Sequence, residues 1–327
     1  MNNDYLFNIG IVTPIGDMEG SLSYQGLVGG ANNWNYFNVA RDLAAVNAKN
    51  EEITTRDGHV YGYLANVTIA ATSSSFVSFV TAPNTWKMRN AMRKAHFLRE
   101  AMFRDAGITA SEQGKYAHTI RPHLTTAMVN DTTYKDPFTL KAGATPGVAL
   151  AGGEWTYTTL ASSPSWDNTP LVDHTDLPLA DTYTLAICGD NVQQDDDGGI
   201  KSWSTIGLIN SYNIDRMEEV PDATADTSIS GLNNPFAMLS SQSVVSGEVA
   251  EIAEEQQLEE PPYDVADDGD STYTLLRKVV QMNNTESVRT VQLFLPAGLL
   301  SIYSSVALAT AGITIEVVGK VLCKDMA

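Results

Sequence analysis

Tyr61-GYLANVTI-Ala70 decides the fold class. Tyr61, Tyr63, Ala65, Val67 and Ile69 alternate with Gly62, Leu64, Asn66, Thr68 and Ala70, the period of two that turns one side of a strand inward. Ser75 to Val80 follows as a second β-rich run, so the two form a β-rich start to the body of the chain. Further along, Tyr183, Leu185 and Ile187 alternate with Thr182, Thr184 and Ala186, and Trp155 to Leu160 and Ser204 to Tyr212 are shorter candidates. Tyr273 to Met282, Val288 to Leu295 and Gly312 to Val321 add three strands near the end. Turn residues punctuate these runs at Pro83-Asn84, Gly143 to Gly147, Gly152-Gly153, Asp195 to Gly199 and Pro296-Ala297-Gly298. Short strands without regular β-α alternation predict an all-β sandwich or barrel, and no internal repeat points to a propeller or solenoid.

One helix interrupts the strands. Thr85 to Ala106 contains no Pro or Gly and stops at Gly107, where a left-handed cap costs little. Met88, Ala91, Met92, Ala95, Leu98 and Met102 gather in a sector of about 120°, while Arg89, Arg93 and Arg104 fall on another side near Trp86 and Phe97. A shorter helix is predicted over Ser243 to Leu258. Residues 1–60 show few periodic signals and read as an amino-terminal arm and loops, leaving 61–327 as the main domain with an acidic insertion at about 214–270.

The 327 residues carry 20 basic and 39 acidic side chains, a net charge of −19. From Asp176 to Asp270 there are 21 acidic residues against Lys201 and Arg216, so the whole excess falls there and the remainder, 18 of each sign, is neutral. A uniformly acidic surface is excluded. The basic residues concentrate instead between Trp86 and Pro122, with Lys87, Arg89, Arg93, Lys94, Arg99, Arg104, Lys115 and Arg121 against Glu100, Asp105 and Glu112. Lys87, Arg89, Arg93, Lys94, Arg99 and Arg104 are the candidate nucleic-acid contacts: cations for phosphates, with Trp86 and Phe97 beside them to stack on unpaired bases. The competing reading is a solvated helix face that pairs with the acidic region.

No apolar run approaches the ~20 residues of a membrane-spanning helix, and the first residues lack the basic and apolar regions of a secretory signal. A soluble protein without a membrane partner is expected. Cys188 and Cys323 are too few for a disulfide framework and read as small buried hydrophobes. Phosphate-binding, dinucleotide-binding, zinc-protease and nucleophile-elbow motifs are missing, so no enzyme activity and no cofactor are expected. A glycan hydrolase needs only two carboxylates in a cleft, but few aromatic residues flank the acids here. Asp195, Asp196 and Asp197, with Asp267, Asp268 and Asp270, form oxygen-rich loops suited to Ca²⁺ shared between loops or subunits. Neither loop has the glutamate of the helix-loop-helix calcium pattern.

Two segments resemble a known family. Asn84-TWKMRNAMRKAHFLREAMFRDAGITASEQGKYAHTIRP-His123 is similar to a helix-plus-turn segment in capsid proteins of small circular single-stranded DNA viruses. Val291-QLFLPAGLLSIYSS, followed by Gly312-ITIEVVGKV, resembles the last two strands of their jelly roll. The resemblance covers about a quarter of the chain. It implies a single viral jelly roll, two four-stranded antiparallel sheets with an inserted helix and long loops. It further implies a major capsid protein in the virion, assembling with many copies of itself into an icosahedral shell around a genome of single-stranded DNA. Such proteins usually carry an Arg/Lys-rich amino-terminal arm, and residues 1–40 here contain no Lys or Arg. The alternative function is a viral spike or fibre, or a β-sandwich binding module, that recognises a ligand on a host surface.

Overall fold

The structure, a computed structural model, describes residues 13–14, 19–30, 33–109, 111–114, 118–129, 135–139, 148–149, 155–161, 182–195, 201–218 and 274–323. The chain begins with β1 (Thr13–Pro14), β2 (Ser21–Leu27), β3 (Trp34–Asn38), α1 (Val39–Asn47), β4 (Tyr61–Ala71) and β5 (Ser75–Thr81). Then come α2 (Trp86–Asp105), β6 (His123–Thr125), α3 (Thr126–Val129), β7 (Phe138–Thr139), β8 (Val148–Ala149) and β9 (Thr159–Ala161). They are followed by β10 (Thr182–Cys188), β11 (Val192–Asp195), β12 (Lys201–Gly207) and α4 (Leu208–Glu218). The chain closes with β13 (Leu275–Met282), β14 (Ser287–Pro296), β15 (Leu299–Ser304) and β16 (Leu308–Leu322).

Eight of these strands make a sandwich. One sheet runs β2-β16-β4-β14, with β1 continuing the place of β2 along β16, and the other runs β13-β5-β15-β3. All pairs within the two sheets are antiparallel. Each strand of the first half pairs with its mirror in the second: β2 with β16, β3 with β15, β4 with β14 and β5 with β13. The sandwich is thus one long hairpin rolled into two sheets, which is jelly-roll connectivity. Residues 82–274 form the tip of that hairpin, leaving after Thr81 and returning at Leu275, which are register partners.

The alternation read at Tyr61 holds in space. Val67 pairs with Val291 and Ile315, and Ala65 with Leu293 and Val317, so three strands present one apolar face. Phe37, Val77, Phe79, Leu300 and Ile302 belong to the same buried core, with Leu43 of α1. The link that carries the chain from β14 in one sheet to β15 in the other places Ala297 and Gly298 at φ +55° and +72°, and the Gly298 amide donates back to the Leu295 carbonyl at 3.1 Å. A side chain at Gly298 would meet the Ala40 nitrogen at 2.9 Å.

Three features differ from the sequence reading. Within residues 1–60, read as arm and loops, β2, β3 and α1 lie in the sandwich, and Leu22, Tyr24, Phe37 and Leu43 are buried in its core. In β2 the alternation of Leu22 and Tyr24 with Ser21, Ser23 and Gln25 is clean but only five residues long, and β3 is buried on both faces, so neither gives a long periodic run. Only Ser204 to Gly207 of the candidate run Ser204 to Tyr212 is strand: β12 ends at Gly207 and α4 begins at Leu208. A Cβ at Gly207 would fall 1.8 Å from the Gly189 carbonyl oxygen, so the strand stops against neighbouring backbone, and buried Leu208 and Ile209 continue as a helix. The tip also carries a separate sheet in the order β11-β12-β10-β6, where β10 runs parallel to both β12 and β6. The predicted helix over Ser243 to Leu258 and the acidic insertion beyond Glu218 lie outside the described residues.

Among the contacts that join the tip to the sandwich, two lie at α1 and its cap residue Asn38. Arg41 of α1 donates from Nη2 to Asp136 Oδ1 (2.6 Å) and to the Lys135 carbonyl (3.0 Å), and from Nε to Asp42 Oδ1 (2.8 Å). The Tyr24 hydroxyl donates to the other Asp42 oxygen at 2.6 Å. Beside them, His123 of β6 stacks on Tyr157 with ring centroids 3.7 Å apart, and the Tyr157 hydroxyl receives Asn38 Nδ2 at 3.4 Å.

Candidate functional site

Helix α2 forms as its sequence predicts. Thr85 caps it, its Oγ1 accepting from the Met88 amide at 3.3 Å, and Gly107 follows its last turn at φ +77°. Met88, Ala91, Met92 and Ala95 are buried. His96 is buried with them and donates from Nε2 to the Arg56 carbonyl at 2.9 Å, with its ring against Gly58. Burial lowers its pKa below the ordinary histidine value.

The six candidate cations separate into three kinds. Lys87 points inward and is buried, and Arg99 is a clamp: its Nη1 donates to the Thr119 carbonyl (2.8 Å) and reaches Thr158 Oγ1 (3.5 Å) while its guanidinium lies 5.2 Å from the Phe103 ring centre. Arg104 is exposed in the last turn, where a cation complements the helix dipole. Arg89, Arg93 and Lys94 are half-buried along the flank. Among the described residues no carboxylate lies within 4.0 Å of Arg89, Arg93 or Arg104.

Arg93 and Lys94 line an open groove of about 500 Å³ with Asn90, Phe97 and Leu98. These five positions are spaced 3, 1, 3 and 1, a single stripe along the helix. The Phe97 ring is 52% exposed and Leu98 48% exposed. The Arg93 guanidinium lies 5.7 Å from the Phe97 ring centre, within cation–π range, and the His96 ring meets Phe97 edge-on at 5.8 Å. Cationic and aromatic groups therefore share one solvent-facing surface.

Sequence reasoning missed two groove residues and misassigned another. Asn90 carries no charge and gave no signal. Leu98 falls inside the apolar sector of the helix yet is half exposed, while Met102, one turn further on, packs against the core. Trp86 is not a free platform: it packs edge-on against Tyr212 of α4 at 6.2 Å, and Asn90 Nδ2 donates to the Tyr212 hydroxyl at 3.3 Å. Arg121 is the largest fully buried side chain, held by Asn50 and by the face of Trp155 at 4.9 Å, and Lys115 lies outside the described residues.

Of the candidate calcium ligands, only Asp195 is described, as the last residue of β11 opposite Lys201. Asp196, Asp197, Asp267, Asp268 and Asp270 lie outside the described residues. Among the described residues no group of three or more His, Cys, Asp or Glu is placed to hold a metal. Cys188 and Cys323 are both buried, and burial raises both thiol pKa values, that of Cys323 to about 12. No described helix is long and apolar enough to cross a membrane. Comparison with protein-family models, with curated proteins and with solved structures finds no match.

Proposed function

We propose that this chain is a structural shell protein, the major capsid protein of a small non-enveloped virus, which associates with copies of itself around a nucleic-acid genome. The observation that carries the reading is the eight-strand jelly roll bearing an exposed apolar edge. Edge strand β13 leaves Leu275, Leu276 and Val279 exposed, and Phe76 of its neighbour β5 is 55% exposed. An exposed apolar edge strand is a template for another chain. Repeated contacts between identical copies bury such an edge in a closed assembly.

The cationic flank of α2 supplies the genome contact in this reading. That replaces the basic amino-terminal arm, since residues 1–40 hold no Lys or Arg. The resemblance of the segment 84–123 and of the closing strands to capsid proteins of single-stranded DNA viruses supports the same assignment. Val291 to Ser305 spans most of β14 and all of β15, so with β16 the resemblance covers three strands rather than two.

Purified protein imaged by negative stain and sized by light scattering should show closed particles of uniform diameter. Monomers or trimers at all concentrations overturn the shell reading and favour a spike or binding module.

A further inference from the structure

Exposed large apolar side chains gather at the β13 edge and in the α2 groove, while Val28, Ile108, Val288, Val306 and Val318 are exposed elsewhere on the described surface. The groove is the more informative because its chemistry is mixed. Phe97 and Leu98 lie beside Arg93 and Lys94 in one open stripe. A partner made of apolar protein surface would strand Arg93, and a purely anionic partner would leave the ring in water. A ligand that presents a flat π-face and an anion within one residue length satisfies both.

We infer that the α2 groove takes one unpaired nucleotide of a nucleic-acid strand, its base stacked on Phe97 and its phosphate held against Arg93 and Lys94. This rests on the reading of α2 as the genome contact and adds the substrate class: unpaired strands, whatever their sequence. A duplex keeps its base faces stacked inside, and unstacking one step costs a few kcal/mol, more than one half-exposed ring returns. Every base has a π-face, so a single ring selects for unpaired bases without selecting among them. Arg93 already lies over Phe97, and the edge of His96 fixes the ring from the core side. The platform is thus ordered before the ligand arrives, which limits the entropy lost on binding.

The test is fluorescence anisotropy of the full-length protein with labelled oligothymidine of about ten nucleotides and with a duplex of equal length, over a salt series. Wild type should bind the single strand more tightly than the duplex. Phe97→Ala should weaken single-strand binding by about 5- to 30-fold with an unchanged salt slope, and Phe97→Trp should restore it. Phe97→Leu, which keeps apolar area without a π-face, should behave like the alanine variant. Arg93→Gln with Lys94→Gln should instead flatten the salt slope, by about 0.7 for each phosphate no longer neutralised. Because the ring is half exposed, these variants should match wild type in circular dichroism and melting. If Phe97→Ala binds like wild type while the Arg93/Lys94 variant weakens, stacking is wrong and the inference is overturned. Equal binding of duplex and single strand overturns the choice of unpaired strands. Closed particles that bind no oligonucleotide overturn the groove assignment while leaving the shell reading intact.

Discussion

Two buried groups at the junction of sandwich and tip titrate in opposite directions, which yields a prediction with a worked size. His123 is 7% exposed, packed on Tyr157, with Nδ1 facing the Leu185 carbonyl at 3.4 Å. Burial lowers its pKa from 6.5 to about 4. Between those values the unfolded chain holds a proton that the native ring refuses, so stability falls as pH falls, by about 3 kcal/mol in total. Asp42 is fully buried, and burial outweighs Arg41 and Tyr24 to raise its pKa from 3.8 to about 6. Here the native state holds the proton that the unfolded chain releases, so stability rises as pH falls, again by about 3 kcal/mol. From about pH 6 to 4 the two slopes cancel.

Removing one group should therefore uncover the other. Asp42→Asn keeps the shape and leaves Arg41 its contact with Asp136. Relative to wild type, its stability should decline by about 1.4 kcal/mol per pH unit between pH 6 and 4. His123→Gln should show the opposite slope, and the double variant should run parallel to wild type. The assay is urea denaturation at half-unit pH steps, read by tryptophan fluorescence and circular dichroism together to check that the transition is single. The other carboxylates titrate in every variant, so the difference from wild type at each pH is the quantity to compare. If both single variants stay parallel to wild type, the burial of these two groups does not govern their protonation, and the packing of the junction around Arg41 and Tyr157 is wrong.

Other consequences are simpler to check. Leu276→Lys with Val279→Lys should abolish particles in light scattering while melting within a degree or two of wild type, since both side chains are exposed. Gly207→Ala forces a Cβ to within 1.8 Å of the Gly189 oxygen and should cost about 1–3 kcal/mol or more in urea denaturation. If Asp195 to Asp197 and Asp267 to Asp270 hold Ca²⁺ between neighbouring carboxylates, EGTA should lower the melting temperature of particles at neutral pH and added Ca²⁺ should restore it; indifference to chelator rules out a calcium-bound shell.

Much of the sandwich was legible because β4, β14 and β16 bury a continuous face and so must alternate cleanly. β2 and β3 were not, because the alternation of β2 is only five residues long and β3 is buried on both faces, its Asn35 and Asn38 fully buried through hydrogen bonds that no period reveals. The start of α2 was visible in Thr85 and its end in Gly107, since caps are local chemistry. Its charged face was legible only as composition. Which cations point out depends on what packs against the helix, and Lys87 turns inward while Leu98 turns outward for that tertiary reason. The mixed sheet of the tip was invisible for a similar cause: β6 and β10 are far apart in sequence, and short parallel pairs leave no local signature.

The hairpin topology explains how charge comes to be divided as it is. A loop that leaves and returns at adjacent register partners adds little closure cost as it lengthens, about 0.6 kcal/mol per doubling, so residues 82–274 grow at the tip without disturbing the strands on either side. The flanks that build the sandwich, 1–81 and 275–327, hold 8 basic and 10 acidic residues, while the tip holds 12 and 29. The sandwich is therefore close to neutral. Copies of a near-neutral sandwich approach one another without the repulsion that a net charge of −19 on that surface would impose. The cationic helix and the residues that carry the acidic excess, 176–270, both lie in sequence between Thr81 and Leu275, so on the capsid reading proposed above substitutions on the exposed face of α2 would change nucleic-acid binding and leave the strand pairing of the sandwich as it is.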